Sequence, residues 1–241
     1  MYASTAIGRY NKDLNGYAES YSSTADAFVI GNGSSDSKGN AFRVTFDGKT
    51  YGLSSYNSYG ADYAEYFEWV DGNPDNEDRV GYFVTVDGDK IRKATSEDDY
   101  IVGVVSVNPS VIGDSYNDDW HGKYLTDIWG RILYEEVVVP AQYKIIHRDE
   151  EHDEEIFIPE HTEIRLMINP DWNPDEEYIP REKRQEWATV GLMGKLIVRD
   201  DGTCVVNGYC KPNDDGIATR SDTGYRVIAR LDENVIKILI K

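Results

Sequence analysis

The apolar positions of this chain recur mostly with a period of two, in short runs closed by turn dipeptides, which is the signature of strands rather than helices. Ala41-Phe42-Arg43-Val44-Thr45-Phe46 alternates up to Asp47-Gly48 and resumes at Tyr51. An Asp-Gly pair between alternating runs is a strong hairpin signal. The same pattern predicts hairpins at Tyr82-Phe83-Val84-Thr85-Val86-Asp87-Gly88 and Leu196-Ile197-Val198-Arg199-Asp200-Asp201-Gly202, and a last strand in Val235-Ile236-Lys237-Ile238-Leu239-Ile240. The β-branched runs Ile101-Val102-Gly103-Val104-Val105 and Val137-Val138-Val139 predict buried strands. Helix is scarce. A short one is expected from Asp62, where Asp-x-x-Glu precedes an apolar run, and another over Pro180-Arg181-Glu182-Lys183-Arg184-Gln185-Glu186-Trp187, with proline in its first turn. The expected fold class is mostly β, with a few short helices.

Residues 1–56 are rich in Gly, Ser, Asn, Ala and Tyr and poor in Leu. The Ile-Gly pair at Ile7-Gly8 returns at Ile30-Gly31, after Ala27-Phe28-Val29, hinting at a loose repeat of short strands and tight turns. Strands this short and this poor in core residues persist by intertwining with copies of themselves. The expectation is a short intertwined β stalk segment in a homotrimer. From Asp62 onward, aromatic residues, charges and long aliphatic runs appear; the boundary is placed near residues 53–61, and 57–241 is read as a mixed, β-dominated domain with its own core.

Charge narrows the partners. The chain carries 25 basic against 44 acidic residues, a net charge of -19, which repels nucleic-acid phosphates and anionic membrane surfaces. Neither nucleic acid nor membrane is expected as a partner. No run approaches the roughly 20 apolar residues that span a bilayer, and Met1-Tyr2-Ala3-Ser4-Thr5 lacks a signal peptide's basic and apolar regions. The two cysteines flank a predicted Asn207-Gly208 hairpin turn that sets Cys204 and Cys210 on opposite faces of the ribbon. Two reduced, half-buried thiols are expected rather than a disulfide or a metal site.

The run Gly60-Ala61-Asp62-Tyr63-Ala64-Glu65-Tyr66-Phe67-Glu68-Trp69 resembles the peptidase G2 family, as do Asp71-Gly72-Asn73-Pro74, Glu77-Asp78-Arg79-Val80-Gly81 and Asn108-Pro109-Ser110-Val111-Ile112-Gly113-Asp114. These are the intramolecular-chaperone autoproteolytic domains at the C-termini of Bacillus phage pre-neck appendage proteins and related prophage proteins. The resemblance covers about residues 57–241. It implies a C-terminal chaperone domain that helps three chains fold into a spike, takes the upstream stalk as its folding client, and releases itself by autocatalytic peptidase action. It also implies a place in a virion tail appendage, or in the bacterial cytoplasm during assembly. Carried onto this sequence, the scissile bond is Ala61–Asp62, with Asp62 and Glu65 as the acidic residues of the cut and no metal or cofactor. A phage member has Ser before the cleavage-site Asp where this sequence has Ala61, which leaves either a carboxylate-only mechanism or a slow cut.

Peptide hydrolysis needs a nucleophile, an acceptor for its proton and a donor for the departing amine. In one route Glu65, set among tyrosines and Phe67, activates a water while Asp62 in acid form assists the leaving nitrogen; in another, the Asp62 side chain attacks the Ala61 carbonyl. The water route is preferred, because the attacking carboxylate forms a strained ring. An N-to-O acyl shift is excluded at a bond followed by Asp62, although Ser58 permits one at Asn57–Ser58. Spacing alone favours the blander role of a helix cap for Asp62 and Glu65, and only the resemblance reverses that. His121 and Lys123, in Asp118-Asp119-Trp120-His121-Gly122-Lys123, are supporting candidates for the cut, against an exposed polar turn. The acidic stretch His147 to Glu155, with His161 beyond, is read as a solvated loop before a cation site. The tryptophans are assigned to core and subunit interface. The rival to a self-cleaving chaperone is a non-enzymatic trimeric adhesin or receptor-binding tip.

Overall fold

The computed structural model describes residues 3–13, 22–115, 122–147 and 153–241. Two compact units follow one another, Met1–Tyr59 and Gly60–Lys241. The first is a four-stranded sheet of β1 (Thr5–Arg9), β2 (Asp26–Asn32), β3 (Asn40–Thr45) and β4 (Thr50–Gly52), in that order. β1 and β2 run parallel with Ile7 beside Ile30 and Gly8 beside Gly31, so the two Ile-Gly pairs stack in register. A Cβ on Gly8 would stand 2.3 Å from the Gly31 carbonyl oxygen, so only a bare backbone fits there. β3 and β4 close the hairpin predicted around Asp47-Gly48.

The second unit contains β5 (Asp62–Glu68), β6 (Phe83–Asp87), β7 (Lys90–Lys93), β8 (Gly103–Val105), β9 (Val111–Gly113), β10 (Tyr134–Val139), β11 (Gln142–His147), β12 (Asp153–Ile158), β13 (His161–Leu166), β14 (Trp187–Arg199), β15 (Tyr209–Pro212), β16 (Ala218–Ser221), β17 (Tyr225–Asp232) and β18 (Val235–Ile240). Its main sheet runs β16-β15-β17-β18-β14-β8-β6-β7, and β5 joins it by pairing with both β14 and β9. β14 is the spine. Its C-terminal half pairs with β18, its N-terminal half with β5, and Val190 and Gly191 also pair with β8. Period-two alternation buries Ile236, Ile238 and Ile240 of β18 against Phe83, Val104, Leu196 and Val198. A second cluster gathers Trp69, Val84, Ile91, Val105 and Val190.

Several local expectations change. The helix expected from Asp62 is a strand, because pairing on both edges satisfies its backbone groups and outweighs a cap. The helix expected at Pro180 shrinks to a single 3-10 turn, Arg181–Lys183, with no side-chain cap. Asp201-Gly202 closes no hairpin, since β14 pairs with β18 instead of the strand that follows it. The turn near Asn207 spans Val205 to Gly208, whose N–H donates to the Val205 carbonyl at 2.9 Å. That shift turns both thiols into the same apolar cluster, fully buried and free rather than half-buried on opposite faces. Burial pushes the Cys210 thiol up to about 12. Val137-Val138-Val139 is not a buried strand in this chain: it lies in β10, a two-stranded ribbon with β13, and Val138 is 61% exposed. A second ribbon, β11 with β12, leaves Tyr143, Ile145 and Phe157 exposed.

Two arginine clamps hold the loops around β6 and β7. Arg79 donates to both oxygens of Asp71, at 2.8 and 2.7 Å, and lies over the Trp69 ring. Arg92 grips Asp98 in the same way, at 2.9 and 2.6 Å. These hydrogen bonds hold both carboxyls down at about 2. A depressed folded value means stability that is whole above the ordinary carboxylate range and lost as pH falls through the folded value. Melting temperature is therefore expected to drop between about pH 4 and pH 2. A calorimetric pH series should show a shallower drop for Asp71→Asn/Asp98→Asn than for the parent; equal slopes would remove these clamps from the acid response.

Candidate functional site

β5 enters the sheet at Asp62 and alternates from there, so Asp62 and Ala64 point into the domain while Tyr63 and Glu65 point the other way. Asp62 is only 6% exposed. Its Oδ2 has no hydrogen-bond partner and lies against the bare α-carbon of Gly191, where a Cβ would come within 2.7 Å. Burial pushes the Asp62 carboxyl up, while hydrogen bonds from the Ser106 side chain and from its own backbone N–H pull it down. Ser106 is itself anchored on β14, donating its N–H to the Thr189 carbonyl at 2.9 Å and accepting the Thr189 hydroxyl. The result is a buried carboxyl that holds a proton more tightly than an ordinary aspartate and sits beside its own amide nitrogen. That nitrogen is the atom that would depart if Ala61–Asp62 were cut.

Glu65 occupies the opposite face. It accepts the Tyr63 hydroxyl, beside Gly113 of β9, and that bond pushes the Tyr63 phenol up. An extended strand rises about 3.3 Å per residue, so the α-carbons of Asp62 and Glu65 stand about 10 Å apart. The reciprocal capping of these two residues is therefore replaced by two separate settings, one buried and one toward Tyr63.

The other sequence candidates scatter. Ala61 is exposed as a residue. Ser58 is exposed and belongs to the first unit. His121 lies outside the described residues, as do Asp118, Asp119 and Trp120. Lys123 sets its ammonium 4.8 Å from the Trp172 ring centre. In the acidic stretch, residues 148–152 lie outside the described residues, and His161 bonds the Pro159 carbonyl and Glu163 at 2.9 and 3.0 Å. Among the described residues, no three His, Cys, Asp or Glu side chains gather to hold a metal. Trp69 is buried as core, while Trp129 is 77% exposed. No described helix is long and apolar enough to cross a membrane.

Sequence reasoning missed Ser106 and Gly191, which complete the seat of Asp62. Neither carries a local signal, since each matters only through strand pairing with a distant segment. A cleft of about 840 Å³ opens beside the site, lined by Tyr66, Trp69, Arg79, Ser106 and Trp187.

Comparison with known proteins places these features. Residues 17–235 match the family model described as Peptidase_G2, IMC autoproteolytic cleavage domain. The pre-neck appendage protein of Bacillus phage B103 is 39% identical over 164 residues, 68% of this chain and 16% of that protein. The putatively phage-related protein YobO of Bacillus subtilis (strain 168) is 34% identical over 67% of this chain and 18% of that protein. The chain thus spans less than a fifth of the curated relatives it matches. The crystal structure of the pre-mature bacteriophage phi29 gene product 12 superposes with a TM-score of 0.67 at 26% identity, covering 88% of this chain and 26% of that one. The C-terminal fragment of the same phi29 protein superposes with a TM-score of 0.55 at 32% identity, covering 75% of this chain and all of the fragment.

Proposed function

Because the chain belongs to the Peptidase_G2 family of intramolecular-chaperone autoproteolytic cleavage domains, we propose that it cuts its own backbone at Ala61–Asp62 and so separates a chaperone domain from the spike segment before it. The observation that carries this reading is the buried Asp62 carboxyl, inclined to keep its proton and within hydrogen-bond reach of its own amide nitrogen. Water attacks the Ala61 carbonyl carbon, the C–N bond to Asp62 breaks, and the Asp62 carboxyl gives its proton to the departing nitrogen. The products are a carboxylate on Ala61 and an amine on Asp62. Positioned proton donation of this kind contributes about 10²–10⁴-fold to a rate.

Water must also lose a proton, and Glu65 is the carboxylate assigned to accept it. Glu65 of the same strand stands about 10 Å from Asp62 on the opposite face, so the carboxylate proposed here is Glu65 of a neighbouring copy. Three copies suit the exposed apolar ribbons, because two-stranded ribbons are marginal alone and gain stability by packing. The assembly so proposed is a phage or prophage tail appendage whose upstream stalk is the folding client, a reading supported by relatives named pre-neck appendage proteins.

Purified chain on a denaturing gel, with intact masses and N-terminal sequencing, tests the proposal. Fragments 1–61 and 62–241 are expected. In a mixed refolding of Asp62→Asn and Glu65→Gln chains, each uncut alone, fragments should reappear. A chain that stays whole through refolding favours the adhesin reading, and a larger fragment starting at Ser58 moves the bond to Asn57–Ser58.

A further inference from the structure

Three successive carbonyls surround the proposed cut, and a strand's carbonyls point alternately to its two edges. On one edge, Ser110 holds two of them: its hydroxyl donates to the Gly60 carbonyl and its N–H donates to the Asp62 carbonyl at 2.7 Å. On the other edge, the Lys195 N–H donates to the Ala61 carbonyl at 3.4 Å. Ser110 ends the same loop whose Ser106 bonds the Asp62 carboxyl, so a single connection between β8 and β9 grips both the backbone and the side chain of the cut site. Glycines let the parts close up. A Cβ on Gly60 would stand 2.4 Å from the Pro109 carbonyl carbon, and one on Gly194 would stand 2.5 Å from the Ala61 oxygen. Gly194 also holds a φ of +119° that other residues rarely adopt.

We infer that Ser110 is a positioning residue for the cut and that the Lys195 amide is the donor that stabilises the oxyanion forming on the Ala61 carbonyl. The inference rests on the proposed cleavage at Ala61–Asp62. When water adds to the carbonyl carbon, the Ala61 oxygen takes up negative charge and its bond to Lys195 N–H shortens. A donor that is long in the resting geometry and tightens at the transition state stabilises the latter selectively. Ser110 keeps the peptide from following the oxygen. With the carbonyls on both sides of Ala61 fixed to one residue, the Ala61–Asp62 plane cannot rotate away from the amide of Lys195. The Ser110 hydroxyl, which holds the Gly60 carbonyl, is the part of the clamp a mutation can remove.

The test uses the full chain and follows fragment 62–241 in a refolding time course. Ser110→Ala should slow the cut by about ten- to a hundredfold, the range for small misplacements of reacting groups. Ser110→Thr, which keeps the hydroxyl, should restore most of the rate. Because Ser110 does not titrate, the shape of the pH–rate profile should match the parent's in both variants. Gly194→Ala, pressing a methyl onto the Ala61 oxygen, should slow the cut in the fraction that folds, as judged by calorimetry. A folded Ser110→Ala chain that cuts at the parent's rate overturns the clamp, as does equal slowing by Ser110→Thr. The underlying proposal fails differently, through a parent chain that stays whole or breaks elsewhere.

Discussion

Replacing Asp62 by asparagine is expected to slow release of fragment 62–241 by about 10²–10⁴-fold and, in the same protein, to raise the melting temperature at neutral pH. Asparagine keeps the shape of the side chain and can still bond Ser106, but it has no proton to give the departing nitrogen. The gain in stability follows from the seat. At 6% exposed and with Oδ2 unpartnered, the ionised carboxyl has too few donors, and burial raises its proton affinity. A raised folded value means stability that is whole below the ordinary aspartate value of 3.8 and lost as pH rises through the folded value. The asparagine chain has no such loss. The two melting curves should converge in acid and separate toward neutral pH, measured by calorimetry on freshly refolded, uncut chain. A variant that cuts at the parent's rate removes Asp62 from the chemistry, and one that melts lower at pH 7 contradicts the burial argument.

The under-satisfied setting of Asp62 is of the kind in which activity and stability trade against each other, which is what the asparagine variant tests. It also explains why the sequence speaks of a cap at this position. Asp-x-x-Glu before an apolar run is a sound local signal for a helix start, and it loses here to two-edged pairing with β14 and β9. Those partners lie far along the chain, so no window around Asp62 contains them. Where pairing is local, the pattern was readable: the Asp47-Gly48 and Asp87-Gly88 hairpins close as alternation predicts. Where a turn resembles a hairpin but the strands go elsewhere, as at Asp201-Gly202, local reading fails for the same reason. Apolar runs carry a related ambiguity. Val137-Val138-Val139 is as β-branched as Val104-Val105, yet one lines a thin ribbon and the other a core, because burial depends on what the rest of the fold stacks on each face. The proposed acidic pair rests on family likeness, whereas the serines and glycines around Asp62 are legible only once β8, β9 and β14 are brought together.

Gly191→Ala should separate the seat of Asp62 from the strand that carries it. Gly191 pairs with Ala64 and with Val104, next to the bulge in β14, and its backbone is one that alanine can adopt. The obstacle is space alone. The new methyl would stand 2.3 Å from Leu196 Cδ2 and 2.7 Å from Asp62 Oδ2. Leu196 is 1% exposed and packed into the main core, so relief of both contacts strains the core and displaces the carboxyl. Turned outward, Asp62 loses the burial that favours its acid form. The cut should slow about a hundredfold, as expected for a displaced reacting group, and overpacking should cost about 1–3 kcal/mol of stability. The decisive readout is the alkaline limb of the pH–rate profile. A general acid works while protonated, so the rate falls as pH rises through its folded value, and in Gly191→Ala that limb should move to lower pH. Gly52→Ala is the matched control, since its methyl meets nothing closer than 3.5 Å and should leave the limb in place. A Gly191→Ala chain that folds, cuts slowly and keeps the parent's limb would assign the loss to packing and deny Gly191 its part in setting the acid.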